Sequence, residues 1–235
     1  MCNECRKFAR FYCLLTAAFF TQAILMLAVY TPAEASMGSV QKIFYVHLPS
    51  AIATFLACLS CFVASVGYAC SRDARWDRLA AAAARVAVVF CSVVLITGMV
   101  WGRSAWGQWW TWSPRLTFSL VLWLLYVVYL MVRASIESPQ RRAVIAAVYG
   151  IVAFLDVPLV WLSTRLMPDI HPVSVQLDGS MRITLIAWFV PVLMIATGAV
   201  VRLYRREQRI AECRAAVEEP PPPSPARMNW MGGAS

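Results

Sequence analysis

The chain has 235 residues, of which 60% are hydrophobic and 14% charged, with a formal net charge of +9. A soluble domain carries about 25% charged residues, so this composition excludes an ordinary soluble globular protein. Six apolar runs, near residues 11–30, 48–70, 79–100, 116–136, 143–163 and 183–203, each approach the ~20 residues needed to cross a hydrocarbon core. Because lipid cannot satisfy open backbone, the predicted fold is an all-α integral membrane protein. It is a six-transmembrane-helix bundle over residues 1–217, followed by a Pro-rich tail over 218–235 that cannot pack a core.

The first run follows a basic stretch (Arg6, Lys7, Arg10), and Ala33-Glu34-Ala35 resembles a cleavage site. Its apolar span from Phe11 to Tyr30 exceeds the ~7–15 residues of a signal peptide, and it reads as a retained transmembrane helix. Basic residues then set the orientation. Sixteen of the 21 fall in one set of segments: Arg6, Lys7 and Arg10; Arg72, Arg75, Arg78 and Arg85; Arg133, Arg141 and Arg142; and six arginines from Arg202 to Arg227. The alternate set holds five: Lys42, Arg103, Arg115, Arg165 and Arg182. Both termini are therefore expected in the cytoplasm, with the loops near 31–47, 101–115 and 164–182 facing outward. The positive charge suits anionic headgroups rather than nucleic acid.

The eight cysteines lie within helices or near the expected cytoplasmic side, away from the outward loops where disulfides would form. Cys2-x-x-Cys5 and Cys58-x-x-Cys61 each lack a second pair and read as incidental thiols. No nucleotide-binding loop is present, so an ATPase would be a separate chain.

The outward side carries the chemistry. His47 lies in Lys42-Ile-Phe-Tyr-Val-His-Leu-Pro49, where Pro49 suits the first turn of a helix. Between the third and fourth runs, Trp101, Trp106, Trp109, Trp110 and Trp112 crowd twelve residues. Single tryptophans at membrane ends are ordinary belt residues, but five in one loop make a flat aromatic surface. Ser113-Pro114 offers an N-cap and first helical residue for the fourth helix. Arg115 follows, the outward cation best suited to pair with carboxylates. Within the fifth run Asp156 stands two residues before Pro158, a costly carboxylate at membrane depth beside an expected kink. His171, the only other histidine, sits between Pro168 and Pro172. Two neutral imidazoles on one side, with indoles between, could bind a haem axially. Zinc is less suited, because no outward cysteine exists and further ligands would have to come from Glu34, Asp169 or Asp178.

Trp106-Gly-Gln-Trp-Trp-Thr-Trp-Ser-Pro-Arg-Leu-Thr117 resembles the tryptophan-rich signature of membrane proteins that handle haem in cytochrome c biogenesis. Lys42 to Ala51, with His47, is similar to the segment before that superfamily's second helix. Val157-Pro158 and the Pro-flanked His171 resemble the region leading to its second histidine. The helix count and histidine pattern fit the CcmC branch, over about residues 10–205.

The resemblance implies haem b held at the outer face of the bacterial inner membrane, on the periplasmic side, with His47 and His171 as axial ligands. Trp106, Trp109, Trp110 and Trp112 would form the platform and the chaperone contact, with Arg115 beside them. It implies transfer of haem to a membrane-anchored haem chaperone, in a complex with ABC transporter-like subunits and a small single-helix protein, and no turnover by this chain alone. One departure is Ser113, where the family usually has an acidic residue. The alternatives are a haem lyase or synthase component, which would be longer and richer in histidine; a redox cytochrome b, which needs about four histidines at two depths; and a haem-free scaffold.

Overall fold

A computed structural model describes residues 3–34, 37–166 and 177–218. Seven helices account for nearly all of them: α1 (Asn3–Leu25), α2 (Phe44–Ser71), α3 (Ala74–Trp106), α4 (Pro114–Ser135), α5 (Pro139–Ala153), α6 (Asp156–Leu166) and α7 (Gly179–Glu218). Six helical spans are long and apolar enough to cross a membrane, with α5 and α6 together forming the fifth. The six-helix membrane bundle expected from hydropathy is the observed fold. The segment 167–176, with His171, and residues 219–235, with most of the Pro-rich tail, lie outside the described residues.

Each of the six spans is longer than its apolar run because capping chemistry, not hydropathy, decides where a helix stops. α2 ends where Arg72 adopts a left-handed backbone (φ 57°, ψ 15°), and Asp73 then accepts the Arg75 N–H at 2.8 Å to open α3. So short a turn forces α2 and α3 antiparallel, and they form the most extensive helix pair in the bundle. α3 also meets α4, α5 and α7. Ala80, Ala81, Ala82, Ala83 and Ala84 are all at most 2% exposed, since a run of small side chains lets neighbours approach α3 from every direction.

Two entrances to helices differ from expectation. α2 begins at Phe44, after a 3-10 turn over Ser39–Ile43, so Pro49 lies inside the helix and not in its first turn. Pro49 lacks the N–H that would bond back toward Tyr45, and Lys42 Nζ, donating to Leu27 O at 2.9 Å, anchors the preceding turn to the π-helical turn Met26–Tyr30 that follows α1. The kink expected near Pro158 is a full break at Phe154–Leu155, and Asp156 starts the new helix. Pro158 thereby falls in the first turn of α6, where its missing N–H is harmless.

α1 is peripheral and packs on α7. The Tyr12 hydroxyl donates to Met194 O at 2.7 Å, Phe20 meets Trp188 edge-on at 5.5 Å, and Thr31 Oγ1 lies 2.8 Å from Thr184 Oγ1. α7 opens at Asp178, whose carboxylate accepts the Met181 N–H and the Ser180 hydroxyl, each at 2.7 Å. These bonds, the backbone one foremost, hold its carboxyl below the ordinary carboxylate range.

At the end remote from the tryptophan loop, the Arg133 guanidinium grips both carboxylate oxygens of Asp77, Nη2 to Oδ2 at 2.9 Å, and this pair joins α3 to α4. Both side chains are about nine-tenths buried, at 10% and 11% exposure. Breaking such a pair strands a charge in an apolar setting, at about 3–5 kcal/mol. Arg133→Ala is expected to lower stability by about that amount in denaturant unfolding of the detergent-solubilised protein. Asp77→Asn with Arg133→Met should recover most of the loss, and Arg75→Ala, at an exposed pair, should leave the unfolding transition nearly unchanged.

Candidate functional site

Three helices turn matching stripes toward one cavity at the tryptophan end. α2 contributes Phe44, His47, Ala51 and Thr54; α3 contributes Cys91, Val94, Gly98 and Trp101; α4 contributes Arg115, Ser119 and Leu122. The three- and four-residue spacing is one face of each helix. Val160 of α6, Leu177 just before α7 and Leu185 of α7 also line it. The cavity measures about 370 Å³, within the ~300–1,000 Å³ of small-molecule and cofactor sites. Eight residues separate His47 from Phe55, both lining it, so it descends about 12 Å along α2.

The loop that roofs the cavity is shaped by two glycines. Gly107 takes a left-handed φ of 76° and donates to Arg103 O at 3.1 Å, which ends α3. A Cβ on Gly102 would stand 3.2 Å from Gln108 O, so the chain folds back close over the last turn of α3. Ser113 then occupies the N-cap position of α4 with Pro114 first in the helix, as the sequence predicts, but the Ser113 hydroxyl makes no capping bond.

Of the residues singled out from sequence, His47, Trp106, Trp110 and Arg115 line this cavity together. Trp109 and Trp112 do not line it and are 56% and 76% exposed. His171 lies outside the described residues. Trp101 is only 3% exposed and links the two groups of aromatics: its ring centre is 6.4 Å from that of His47 and 6.0 Å from that of Trp106. Trp110 packs edge-on against Trp112 at 5.8 Å, and its indole nitrogen is buried without a hydrogen-bond partner among the described residues.

The five cations expected on the outward side separate cleanly. Lys42 bonds Leu27 O, Arg103 bonds Gly107 O, Arg182 Nε bonds Leu177 O at 3.0 Å, and Arg165 lies over the Trp161 ring at 4.2 Å. Among them only Arg115 lines the cavity. No group of three or more histidine, cysteine or acidic side chains suited to a bare metal ion occurs among the described residues.

Thr97 and Gly98 were not legible as site residues. Thr97 Oγ1 sits 2.9 Å from His47 Nδ1, and a Cβ on Gly98 would stand 3.3 Å from His47 Cε1. A glycine within an apolar helix was the available signal, since it marks a close approach more often than a preference. Asp156 is 5% exposed, and its Oδ2 has no hydrogen-bond partner among the described residues. It lies one helical turn from Val160 in the cavity wall.

Residues 1–219 match the family profile described as CcmC, Heme exporter protein C. The chain belongs to the CcmC family. Relatives named Heme exporter protein C include those of Bradyrhizobium diazoefficiens, 31% identical over 166 residues (70% of this chain, 63% of the relative), and of Rhodobacter capsulatus, 37% identical over 123 residues (52% and 51%). The Escherichia coli K12 protein of that name is 28% identical over 151 residues (64% and 62%). The chain thus spans between about half and two thirds of the length of these CcmC relatives.

In this CcmC chain Trp101 should be structural and Trp112 a surface residue. Trp101→Ala is expected to cost about 3–5 kcal/mol in unfolding, as for other buried Trp→Ala changes. Trp112→Ala should fall within about 0.5 kcal/mol of wild type, as exposed substitutions do.

Proposed function

We propose that this chain holds haem b as cargo at the tryptophan end of the bundle and passes it to a membrane-anchored haem chaperone during cytochrome c maturation. In this reading His47 and His171 are the axial ligands, the indoles of Trp106 and Trp110 are the platform, and Arg115 pairs with the propionates. Trp109 and Trp112 belong to the chaperone contact. The complex includes ABC transporter-like subunits and a small single-helix protein. The membrane is the bacterial inner membrane, with the haem face toward the periplasm and both termini in the cytoplasm.

The observation that carries the reading is the convergence of His47, the indoles of Trp101, Trp106 and Trp110, and Arg115 on one largely apolar cavity. Its size, its flat aromatic walls and a cation on the same cavity as the His47 imidazole fit an amphipathic metalloporphyrin better than a small polar ligand. The division of the loop supports a transfer role. Two indoles turn inward, while Trp109 and Trp112 stand exposed, as expected where a partner must reach the cargo. The names of the relatives agree with haem as cargo. The orientation rests on the bias of basic residues. Iron chemistry is supplied by the haem; this chain binds, orients and shelters it, and the reading requires no catalytic turnover.

Purified protein loaded with haem should show a low-spin spectrum, and His47→Ala and His171→Ala should each weaken retention and shift the spectrum toward high spin. A protein that takes up no haem in either oxidation state would overturn this reading. Trp109→Ala with Trp112→Ala should slow transfer to the chaperone while leaving haem retention intact.

A further inference from the structure

α3 seats the His47 imidazole with two consecutive residues. His47 Nδ1 lies 2.9 Å from Thr97 Oγ1, and the same oxygen lies 2.7 Å from Val93 O and 3.2 Å from Val94 O. A carbonyl oxygen can only accept, and a threonine hydroxyl has one hydrogen. That hydrogen is committed to the preceding turn of α3, the common back-bond of threonine in a helix, so the hydroxyl lone pairs face the imidazole. The hydrogen in the His47–Thr97 contact must then come from Nδ1. A neutral imidazole carries a single N–H, which leaves the metal-binding lone pair on Nε2. Gly98 fixes the ring beside this bond. A Cβ there would stand 3.3 Å from His47 Cε1 and 3.9 Å from Nδ1, so the Nδ1–Cε1 edge rests against helix backbone where a side chain would push it away.

We infer that Thr97 is a positioning residue that holds His47 as the Nδ1–H tautomer and presents Nε2 as the iron donor, with Gly98 as the seat of the ring. The assignment of Nε2 as donor rests on the reading of His47 as a haem ligand; the tautomer does not. The arrangement is the hydroxyl counterpart of the acceptor that fixes a metal-ligating histidine through its other nitrogen.

The tautomer can be read in haem-free protein. With histidine rings labelled with nitrogen-15 and His171→Ala removing the second imidazole, long-range proton–nitrogen NMR at mildly alkaline pH should show Nδ1 protonated. Thr97→Val should shift the population toward Nε2–H, and Thr97→Ser should restore Nδ1–H. In the full chain with His171 present, Thr97→Val should weaken haem retention by about 10–100-fold, with Thr97→Ser near wild type. Gly98→Ala should shift the low-spin spectrum while Thr97 is intact. An Nε2–H signal in the Thr97 protein, or a tautomer indifferent to Thr97→Val, overturns the inference. Tautomer control by Thr97 with wild-type haem retention in Thr97→Val overturns its role toward the iron. Failure of the wild-type chain to bind haem overturns the ligand reading and, with it, the assignment of Nε2 as donor, while the ring spectrum still decides the tautomer.

Discussion

Apolar helices in a bilayer gain nothing by exchanging lipid for leucine, so helix association must come from close approach and from polar groups that lipid cannot satisfy. The α2–α3 pair meets both conditions. Arg72 and Asp73 turn the chain within two residues, and the alanine run of α3 removes the bulk that would hold its neighbours apart. With the two helices locked antiparallel, residue 47 near the start of α2 falls beside residues 97 and 98 near the end of α3. The cavity depends on that alignment. A slip of one turn would move the imidazole about 5.4 Å along α3, away from both Thr97 and the glycine seat.

The two ends of the bundle use polarity differently. Away from the tryptophan loop, Asp77 with Arg133 ties α3 to α4, and Arg85 with Glu207 at 2.6 Å ties α3 to α7. At the tryptophan end the cations are dispersed onto carbonyls and an indole face, apart from Arg115 beside the cavity. The bundle is therefore clamped by ion pairs at one end and left hollow at the other, where aromatic walls and the His47 imidazole line the space. Flat hydrophobic cargo with charged edges suits such an end, because burial of the ring and pairing of the edge draw on different residues.

Several site residues were visible in the sequence because their chemistry is rare in a membrane chain. Two histidines in all, and five indoles within twelve residues, need no coordinates to be noticed. The outward cations could not be ranked beyond a preference for Arg115, since every one of them can snorkel; only the folded chain assigns carbonyl or ring partners to the other four. The tryptophans could not be sorted either. Residues 106, 109, 110 and 112 share one loop, and which of them turn inward follows from how Gly107 ends α3 and from the fold-back over Gly102.

Fold class, the number of membrane spans and the chemical character of one end were determined by sequence alone, because the bilayer permits apolar runs of this length only one regular structure. Helix limits were not, since they are set by caps and by turns such as Ser39–Ile43, which carried α2 back to Phe44. The tertiary structure decided what His47 touches. Thr97 and Gly98 stand fifty residues away in the chain and look like unremarkable members of an apolar helix. Their meaning arises only when close α2–α3 packing brings a hydroxyl and a missing side chain against the imidazole, a relation of distance that local pattern does not encode.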